Sequence, residues 1–271
     1  MRKSISDFLV ISDLDNTLLT AREGIPDFNV SMIDMFQKFG GLFTVATGRT
    51  VDSVDRYLDR ISLNCPAIVY NGGIIYDYRT RKILDKKIMP DTAPKILAKI
   101  LASFPDVGCE VMCDNLRTYW IKQNDYTFNH LRDERMSYII SDMKSVTNNW
   151  VKVLFASSNG RLMEMKEFCE SLETDDFEFV MTNDVYFEMM PKGVSKGKAL
   201  GTLCALTGKS RANTIAVGDY YNDIEILSNA GLSVCVDNAP EEIKKMCRIV
   251  VPSCREGGVG YLLQQIMDLY E

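Results

Sequence analysis

The amino-terminal region contains the stretch Phe8-Leu9-Val10-Ile11-Ser12-Asp13-Leu14-Asp15-Asn16-Thr17-Leu18-Leu19, in which an apolar run ends in two carboxylates. The apolar run predicts a strand over residues 8–11 that is buried on both faces. Side chains alternate along a strand, so we expect Asp13 and Asp15 to point the same way. Two like charges this close are unfavourable unless something neutralises them, and a hard divalent cation would do so. The stretch therefore predicts a charged site at the end of a central strand.

Short apolar runs alternate with helical patterns on both sides of a long middle segment. Before it we predict strands over 8–11, 42–46 and 67–70 and helices over 29–39 and 51–61. After residue 191 we predict helices over 196–206 and 223–230 and strands over 214–217, 232–236 and 249–251. Strands that alternate with helices are typical of an α/β fold with a parallel sheet.

The middle segment does not show this regular alternation of strands and helices. We predict a hairpin over residues 74–88 with its turn near Arg79-Thr80, helices over 93–104 and 160–172, and β-like runs over 117–122, 151–156 and 185–189. We therefore expect a Rossmann-like parallel-sheet core made of residues 1–87 and 192–271, with an inserted α+β domain at 88–191.

Composition excludes some functions. A net charge of −6 and a pI of 5.1 argue against a surface that binds nucleic acid. Eight cysteines without a CxxC pair indicate a reduced, cytoplasmic protein. Asp13 interrupts the first apolar run, so we expect neither a signal peptide nor a membrane span. We expect the single histidine, His130, to be a surface or cap residue.

Four predicted strands end in polar residues that suit phosphate or metal chemistry: Asp13 with Asp15, Thr47, Asn71 and Asp219. Ligands of parallel sheets lie outside the carboxyl ends of the strands, so these residues are expected to form one site. Polar residues can also simply mark strand ends. Asp223 can either join this site or cap the helix that follows it.

A cluster of acids needs cations. The chain offers oxygen ligands rather than a histidine or thiolate set, and this favours Mg²⁺. A lysine at a helix start would add positive charge for a phosphate. Of Lys192, Lys196 and Lys198 we choose Lys196, with a solvated basic patch as the alternative.

Four motifs in order resemble those of the haloacid dehalogenase superfamily: Asp13-Leu14-Asp15-Asn16-Thr17-Leu18-Leu19, Ala46-Thr47-Gly48-Arg49, Gly193-Val194-Ser195-Lys196-Gly197 and Gly218-Asp219-Tyr220-Tyr221-Asn222-Asp223. Two more, Asn71-Gly72-Gly73 and Val236-Asp237-Asn238-Ala239-Pro240, resemble its Cof-type branch, which inserts a large α/β cap where residues 88–191 lie. The departures are Asn16, Tyr220-Tyr221, and residues 253–259, which replace a loop of that branch.

The resemblance implies roles for particular residues. Asp13 would be the nucleophile and Asp15 the general acid and base. The Asp13 carboxylate, the Asp15 main-chain carbonyl, Asp219 and Asp223 would hold Mg²⁺. Phosphoryl or substrate contacts would come from Thr47, Lys196, Gly48, Arg49, Asn71, Gly72 and Asn222. Arg49 can equally form a structural ion pair.

The resemblance implies a Mg²⁺-dependent phosphatase of small phosphorylated metabolites such as sugar phosphates, acting through an aspartyl-phosphate. We expect a cytoplasmic monomer or weak dimer without nucleic-acid or membrane partners. The alternatives are a sugar phosphotransferase or phosphomutase on the same core, a phospho-accepting signalling module, and a non-catalytic binding protein.

Overall fold

The chain forms two compact units in the computed structural model, which describes residues 3–20 and 24–270. The first unit comprises Met1–Gly48, Val54–Asp85 and Ser195–Glu271, and the second comprises Arg49–Ser53 and Lys86–Val194. The domain boundaries at residues 88 and 191, and the role of the insertion as a cap, stay predictions.

Three runs of helices and strands follow one another along the chain. Up to residue 86 they are β1 (Leu9–Ser12), α1 (Asp27–Lys38), β2 (Leu42–Val45), α2 (Val51–Asp55), β3 (Ala67–Val69), β4 (Ile74–Asp77) and β5 (Lys82–Lys86). The middle run consists of α3 (Ala93–Ser103), β6 (Gly108–Cys113), β7 (Thr118–Lys122), α4 (Asp125–Asp133), β8 (Tyr138–Ile140), β9 (Trp150–Ala156), α5 (Asn159–Glu170), β10 (Phe177–Asn183) and β11 (Tyr186–Pro191). The last run consists of α6 (Lys196–Thr207), β12 (Thr214–Gly218), α7 (Ile224–Asn229), β13 (Leu232–Val236), α8 (Glu241–Met246), β14 (Ile249–Val251) and α9 (Gly258–Tyr270).

The first unit contains a five-stranded sheet in the order β14-β13-β12-β1-β2. All four neighbouring pairs in it are parallel. Every residue of β1 is buried, as its apolar sequence predicts. A smaller sheet of β3-β4-β5 lies in the same unit. The predicted fold class, a parallel α/β core, is confirmed.

Helices α1 and α9 pack together in the first unit. A Cβ at Gly260 would lie 2.8 Å from the Phe28 ring, so the two helices approach closely there. The buried Asn29 side chain, on α1, bonds both to α9 and to the loop that follows β1. It donates to the Leu18 carbonyl at 3.0 Å and accepts from the Gly260 N–H at 2.7 Å.

The second unit is built on a six-stranded sheet in the order β10-β11-β9-β6-β7-β8. It is antiparallel except where β7 pairs with β8. Apolar side chains from α3, α5 and the sheet form a core of its own, among them Leu97, Ile100, Val153, Leu162 and Phe187. Within residues 3–20 and 24–270, no helix combines the length and apolar character needed to cross a membrane.

His130 is not a surface residue, so that expectation is wrong. It lies in α4 with only 5% of its surface exposed, and its Nδ1 is 2.9 Å from the fully buried Glu110 carboxylate. Burial alone would lower the pKa of His130, but the carboxylates of Glu110 and Glu134 outweigh it and raise the pKa to about 10. The carboxylates of Glu110 and Glu134 therefore compensate for the burial of a charged imidazole.

The helix predicted over residues 51–61 is also shorter than expected, because α2 ends at Asp55. The N–H groups of Tyr57, Leu58 and Arg60 bond to carbonyls three residues earlier, so the chain continues as turns. Strands β6, β8 and β10 and helices α4, α8 and α9 were not predicted from the sequence at all.

We expect Phe36→Ala to destabilise the chain by about 3–5 kcal/mol, because the buried ring fills the space beside Gly41. The matched control is Phe39→Ala at the end of the same helix, where the ring is 44% exposed and the cost should stay within about 0.5 kcal/mol. Urea unfolding measures both. Equal losses would contradict the assignment of Phe36 to the core.

Candidate active site

Three predicted site residues follow strands that are neighbours in the parallel sheet. Asp13 follows β1, Thr47 lies two residues after β2, and Asp219 follows β12. Because these strands are parallel, their carboxyl ends share one edge of the sheet. The Asp13 N–H donates to the Val217 carbonyl at 2.8 Å, which fixes the start of the first acidic loop.

Three carboxylates gather at this edge. Asp13, Asp219 and Asp223 each offer an oxygen, and these atoms lie within 4.8 Å of one another. Their exposed fractions are only 7%, 7% and 1%. Thr17 supports the cluster, because its hydroxyl donates to the Asp219 Oδ1 at 2.8 Å. Sequence reasoning missed Thr17, although it lies four residues after Asp13 in the first motif.

Lys196 joins two of these carboxylates. Its Nζ lies 2.6 Å from Asp13 Oδ1 and 2.7 Å from Asp223 Oδ1, and its side chain is 1% exposed. It is the first residue of α6, whose start is capped because the Ser195 hydroxyl accepts from the Lys198 N–H at 3.0 Å. Lys192 and Lys198 are exposed, so the geometry distinguishes Lys196 from both.

Two glycines allow the backbone to come close to the start of α6. A Cβ at Gly197 would lie 2.5 Å from the Glu225 side chain, and one at Gly72 would lie 2.3 Å from the Ser195 carbonyl oxygen. Gly72 also has a φ of 101°, in the left-handed region that favours glycine. The close approach of α6 to α7 brings Lys196 to Asp223.

The charges in the cluster shift one another. Burial raises the pKa of Asp13 well above its usual value; Lys196 opposes this, and the neighbouring carboxylates add to it. Burial, with Asp223, raises the pKa of Asp219 to about 7, while the Thr17 hydroxyl works against it. Burial would lower the pKa of Lys196, but Asp13 and Asp223 raise it, so the ammonium stays charged.

The donor set suits a hard divalent cation. Three buried carboxylates against one ammonium leave an excess of negative charge in a poorly solvated place. Carboxylate oxygens are the ligands of Mg²⁺ and Ca²⁺, and binding such an ion favours the ionised form of every acid in the cluster. The residues present therefore fit a metal of this kind.

A second group surrounds Thr47. Thr47 is 1% exposed, and its carbonyl accepts from the Asn71 N–H at 2.9 Å. Asn71 is 4% exposed, and a Cβ at Gly48 would lie 3.0 Å from its Nδ2. The structure thus brings Thr47, Gly48 and Asn71 together.

Four predicted site residues lie outside these contacts or have a further role. Asp15 and Asn222 are half-buried. Arg49 belongs to the second unit, where it donates to the Ser53 hydroxyl at 2.6 Å and lies 3.9 Å from Glu134. This contact corresponds to the structural ion pair that the sequence analysis left open as an alternative for Arg49. Asp223 contacts Lys196 and accepts from the N–H groups of Asp219 and Tyr220, which precede α7. Its side chain makes no capping hydrogen bond to α7, so of the two alternatives for Asp223 the structure favours a place in the site.

The parallel sheet and the carboxylate cluster at its edge fit a hydrolase that acts on phosphate esters, and comparison with known proteins shows the family. The family model for haloacid dehalogenase-like hydrolases matches residues 10–263, so the chain belongs to that family. This match, together with relatives that are named phosphatases, confirms two predictions: the Cof-type resemblance, and an enzyme of the haloacid dehalogenase-like phosphatase class.

Two relatives and one solved structure illustrate the similarity. The 5-amino-6-(5-phospho-D-ribitylamino)uracil phosphatase YwtE of Bacillus subtilis is 27% identical, over 94% of this chain and 96% of its own. The pyridoxal phosphate phosphatase YbhA of Escherichia coli is 24% identical, over 90% and 92%. A haloacid dehalogenase-like hydrolase from Bacteroides thetaiotaomicron has the same fold, with a TM-score of 0.86 at 22% identity over 96% of this chain and 99% of its own.

We expect the metal-free chain to lose stability as the pH rises from about 5 to about 8. The pKa of Asp219 is about 7 in the folded chain and 3.8 in an ordinary setting, so the folded state holds a proton that the unfolded state has released. Asp219→Asn removes this group. In EDTA near neutral pH its Tm should exceed that of the wild type by at least about 2–4 °C, the shift that 1 kcal/mol produces in a domain of similar size.

The difference between variant and wild type should shrink near pH 5, where Asp219 holds its proton in the folded state. Thermal denaturation across this range measures it. A difference in Tm that does not change with pH would contradict the raised pKa of Asp219.

Proposed function

We propose that this protein is a Mg²⁺-dependent phosphatase that hydrolyses small phosphorylated metabolites through an aspartyl-phosphate on Asp13. One observation carries the proposal. The Asp13 carboxylate lies at the carboxyl edge of a parallel sheet, 2.6 Å from the Lys196 ammonium and beside Asp219 and Asp223. This arrangement offers a nucleophile, a fixed positive charge and metal ligands in one place.

In the first step an Asp13 oxygen attacks phosphorus and the bond to the leaving oxygen breaks. Lys196 favours the ionised form of Asp13 and remains close enough to offset charge on the phosphoryl oxygens. Mg²⁺, held by Asp13, the Asp15 carbonyl, Asp219 and Asp223, would supply further stabilisation of that charge. Thr17 holds Asp219 in place for this role.

Asp15 moves the proton in both steps. It protonates the leaving oxygen in the first, and in the second it takes a proton from the water that attacks phosphorus. The bond between phosphorus and Asp13 then breaks, which releases phosphate and restores the carboxylate. Two observations support this role of Asp15 in proton transfer. It lies two residues from the nucleophile, and it lies outside the buried carboxylate cluster.

The remaining contacts follow from the group around Thr47. We assign the phosphoryl oxygens to the Thr47 hydroxyl and the Gly48 N–H, because both lie on the loop after β2. Asn71, held to Thr47 through its backbone, and Gly72 would contact the substrate. Asn222 would contact the phosphoryl group from the loop of Asp219. Arg49 would contact the substrate through N–H groups that do not face Glu134.

We assign residues 88–191 to a cap that reads the leaving group. Their separate core supports a role distinct from that of the parallel sheet. The substrates named for YbhA and YwtE are small phosphate esters, and this supports a substrate of similar size here, with sugar phosphates included. All eight cysteines are free thiols, which supports a reduced, cytoplasmic setting, and we propose a monomer or weak dimer.

We expect purified protein to release phosphate from p-nitrophenyl phosphate with Mg²⁺ and to stop when EDTA is added, because the three clustered carboxylates offer the oxygen ligands that Mg²⁺ prefers. Asp13→Asn, purified in the same way, is the control for contaminating phosphatases. Its rate should fall by about 10³-fold or more, since it lacks the nucleophile. Full activity in metal-free buffer, or in the variant, would refute the proposal.

We expect Asp15→Ala to slow alkyl phosphates far more than nitrophenyl phosphate in formation of the aspartyl-phosphate. An alkoxide is strongly basic and needs a proton as it leaves, and general acid catalysis contributes about 10²–10⁴-fold. Single-turnover rates of the first step measure this without the second, in which Asp15 activates water. If both esters slow equally, Asp15 is not the acid.

A further inference from the structure

Two adjacent tyrosines lie in the loop that carries half of the acidic cluster. Tyr220 and Tyr221 separate Asp219 from Asn222 and Asp223. Their rings meet edge to face, with centroids 4.9 Å apart and planes at 70°. The Tyr221 residue is 48% exposed, whereas Asp219 and Asp223 are 7% and 1% exposed. The same short loop therefore buries its carboxylates and exposes an aromatic ring.

The main chain of this loop is fixed to the catalytic carboxylates. Asp223 Oδ2 accepts from the N–H of Asp219 at 3.1 Å and of Tyr220 at 3.3 Å. The other oxygen of Asp223 binds Lys196, which in turn binds Asp13. The side chains of Asp223 and Lys196 thus connect the backbone of Tyr220 to Asp13. A Cβ at Gly218 would lie 2.6 Å from the Asp223 carboxylate, so the loop has little room to shift.

The exposed surface of this loop is apolar as well as aromatic. Ile224 follows Tyr221 by three residues and is 39% exposed, and residues three apart in a helical turn lie on the same face. Small-molecule sites combine a few polar groups with apolar and aromatic side chains, and this loop carries both kinds.

We propose that Tyr221, supported edge-on by Tyr220, is a stacking platform for a planar aromatic or heteroaromatic leaving group. This rests on the proposed function, since the ring would belong to a phosphate ester that Asp13 cleaves. Aromatic pairs contribute about 0.5–1.5 kcal/mol beyond the area that they bury, and this corresponds to about 2- to 10-fold in kcat/KM. The platform therefore favours esters of ring alcohols over esters of open-chain or sugar alcohols.

The test compares two probes that differ in the leaving group, pyridoxal 5′-phosphate and glucose 6-phosphate, in the wild type, Tyr221→Ala and Tyr221→Phe. We expect Tyr221→Ala to lower the ratio of kcat/KM for the ring ester to that for the sugar ester by about 2- to 10-fold. Tyr221→Phe keeps the ring and should restore the ratio. The matched control is Tyr261→Ala, which removes another exposed tyrosine, 42% exposed and packed on Phe28. It should leave the ratio at the wild-type value.

Several results would overturn the platform. An unchanged ratio in Tyr221→Ala, or an equal fall for both probes, would show that Tyr221 does not read the leaving group. A fall that Tyr221→Phe does not restore would point to the hydroxyl rather than to stacking. The proposed phosphatase function fails separately, namely if the wild type releases phosphate from neither probe nor from p-nitrophenyl phosphate in Mg²⁺.

Discussion

The buried ammonium of Lys196 is the interaction on which the site depends. It lies within 2.7 Å of carboxylate oxygens from two different loops, and no part of it is appreciably exposed. Removing one partner of a buried ion pair costs about 3–5 kcal/mol, because the other charge stays buried without compensation. The fold accommodates this lysine with a capped helix start at Ser195 and with Gly197, where a side chain would collide with Glu225. The position of the Lys196 Nζ therefore depends on the local sequence, on the packing of α6 and on the charge of the neighbouring carboxylates.

Electrostatics also organises the second unit, in a different way. Lys152 Nζ lies 2.8 Å from Glu188, and His130 lies 2.9 Å from Glu110, with all four residues at most 5% exposed. Glu110, Lys152 and Glu188 lie on strands of the sheet and His130 lies on α4, and apolar side chains of the same sheet contribute to the core of the unit. A buried pair adds little net stability compared with apolar residues of the same size. We therefore expect these pairs to contribute more to the specificity of side-chain pairing than to the free energy of unfolding.

Much of the parallel sheet was predictable, because strands such as β1 and β12 are largely apolar and are followed directly by acids. Two of the missed elements, β6 and α9, carry a local signal that conflicts with their fold. Strand β6 contains the buried Glu110, whose carboxylate is paired with His130, and no local pattern reveals a partner twenty residues away. Helix α9 begins Gly258-Val259-Gly260, and glycine is a poor helix former, but Gly260 is needed for the approach to α1. In the site, strand ends predicted the acids, whereas the support from Thr17 depends on a contact between distant loops.

The central claim is that Asp13 carries the phosphoryl group. The most direct measurement is mass spectrometry of wild-type protein quenched in acid during turnover of a phosphate ester with Mg²⁺, followed by digestion and sequencing of the phosphorylated peptide. The account predicts one phosphoryl group on the peptide that contains Asp13, attached to Asp13 rather than to Asp15. A phosphoryl group on another residue would contradict it. So would turnover that leaves every peptide unmodified even in Asp15→Ala, where hydrolysis of the intermediate should be slowed.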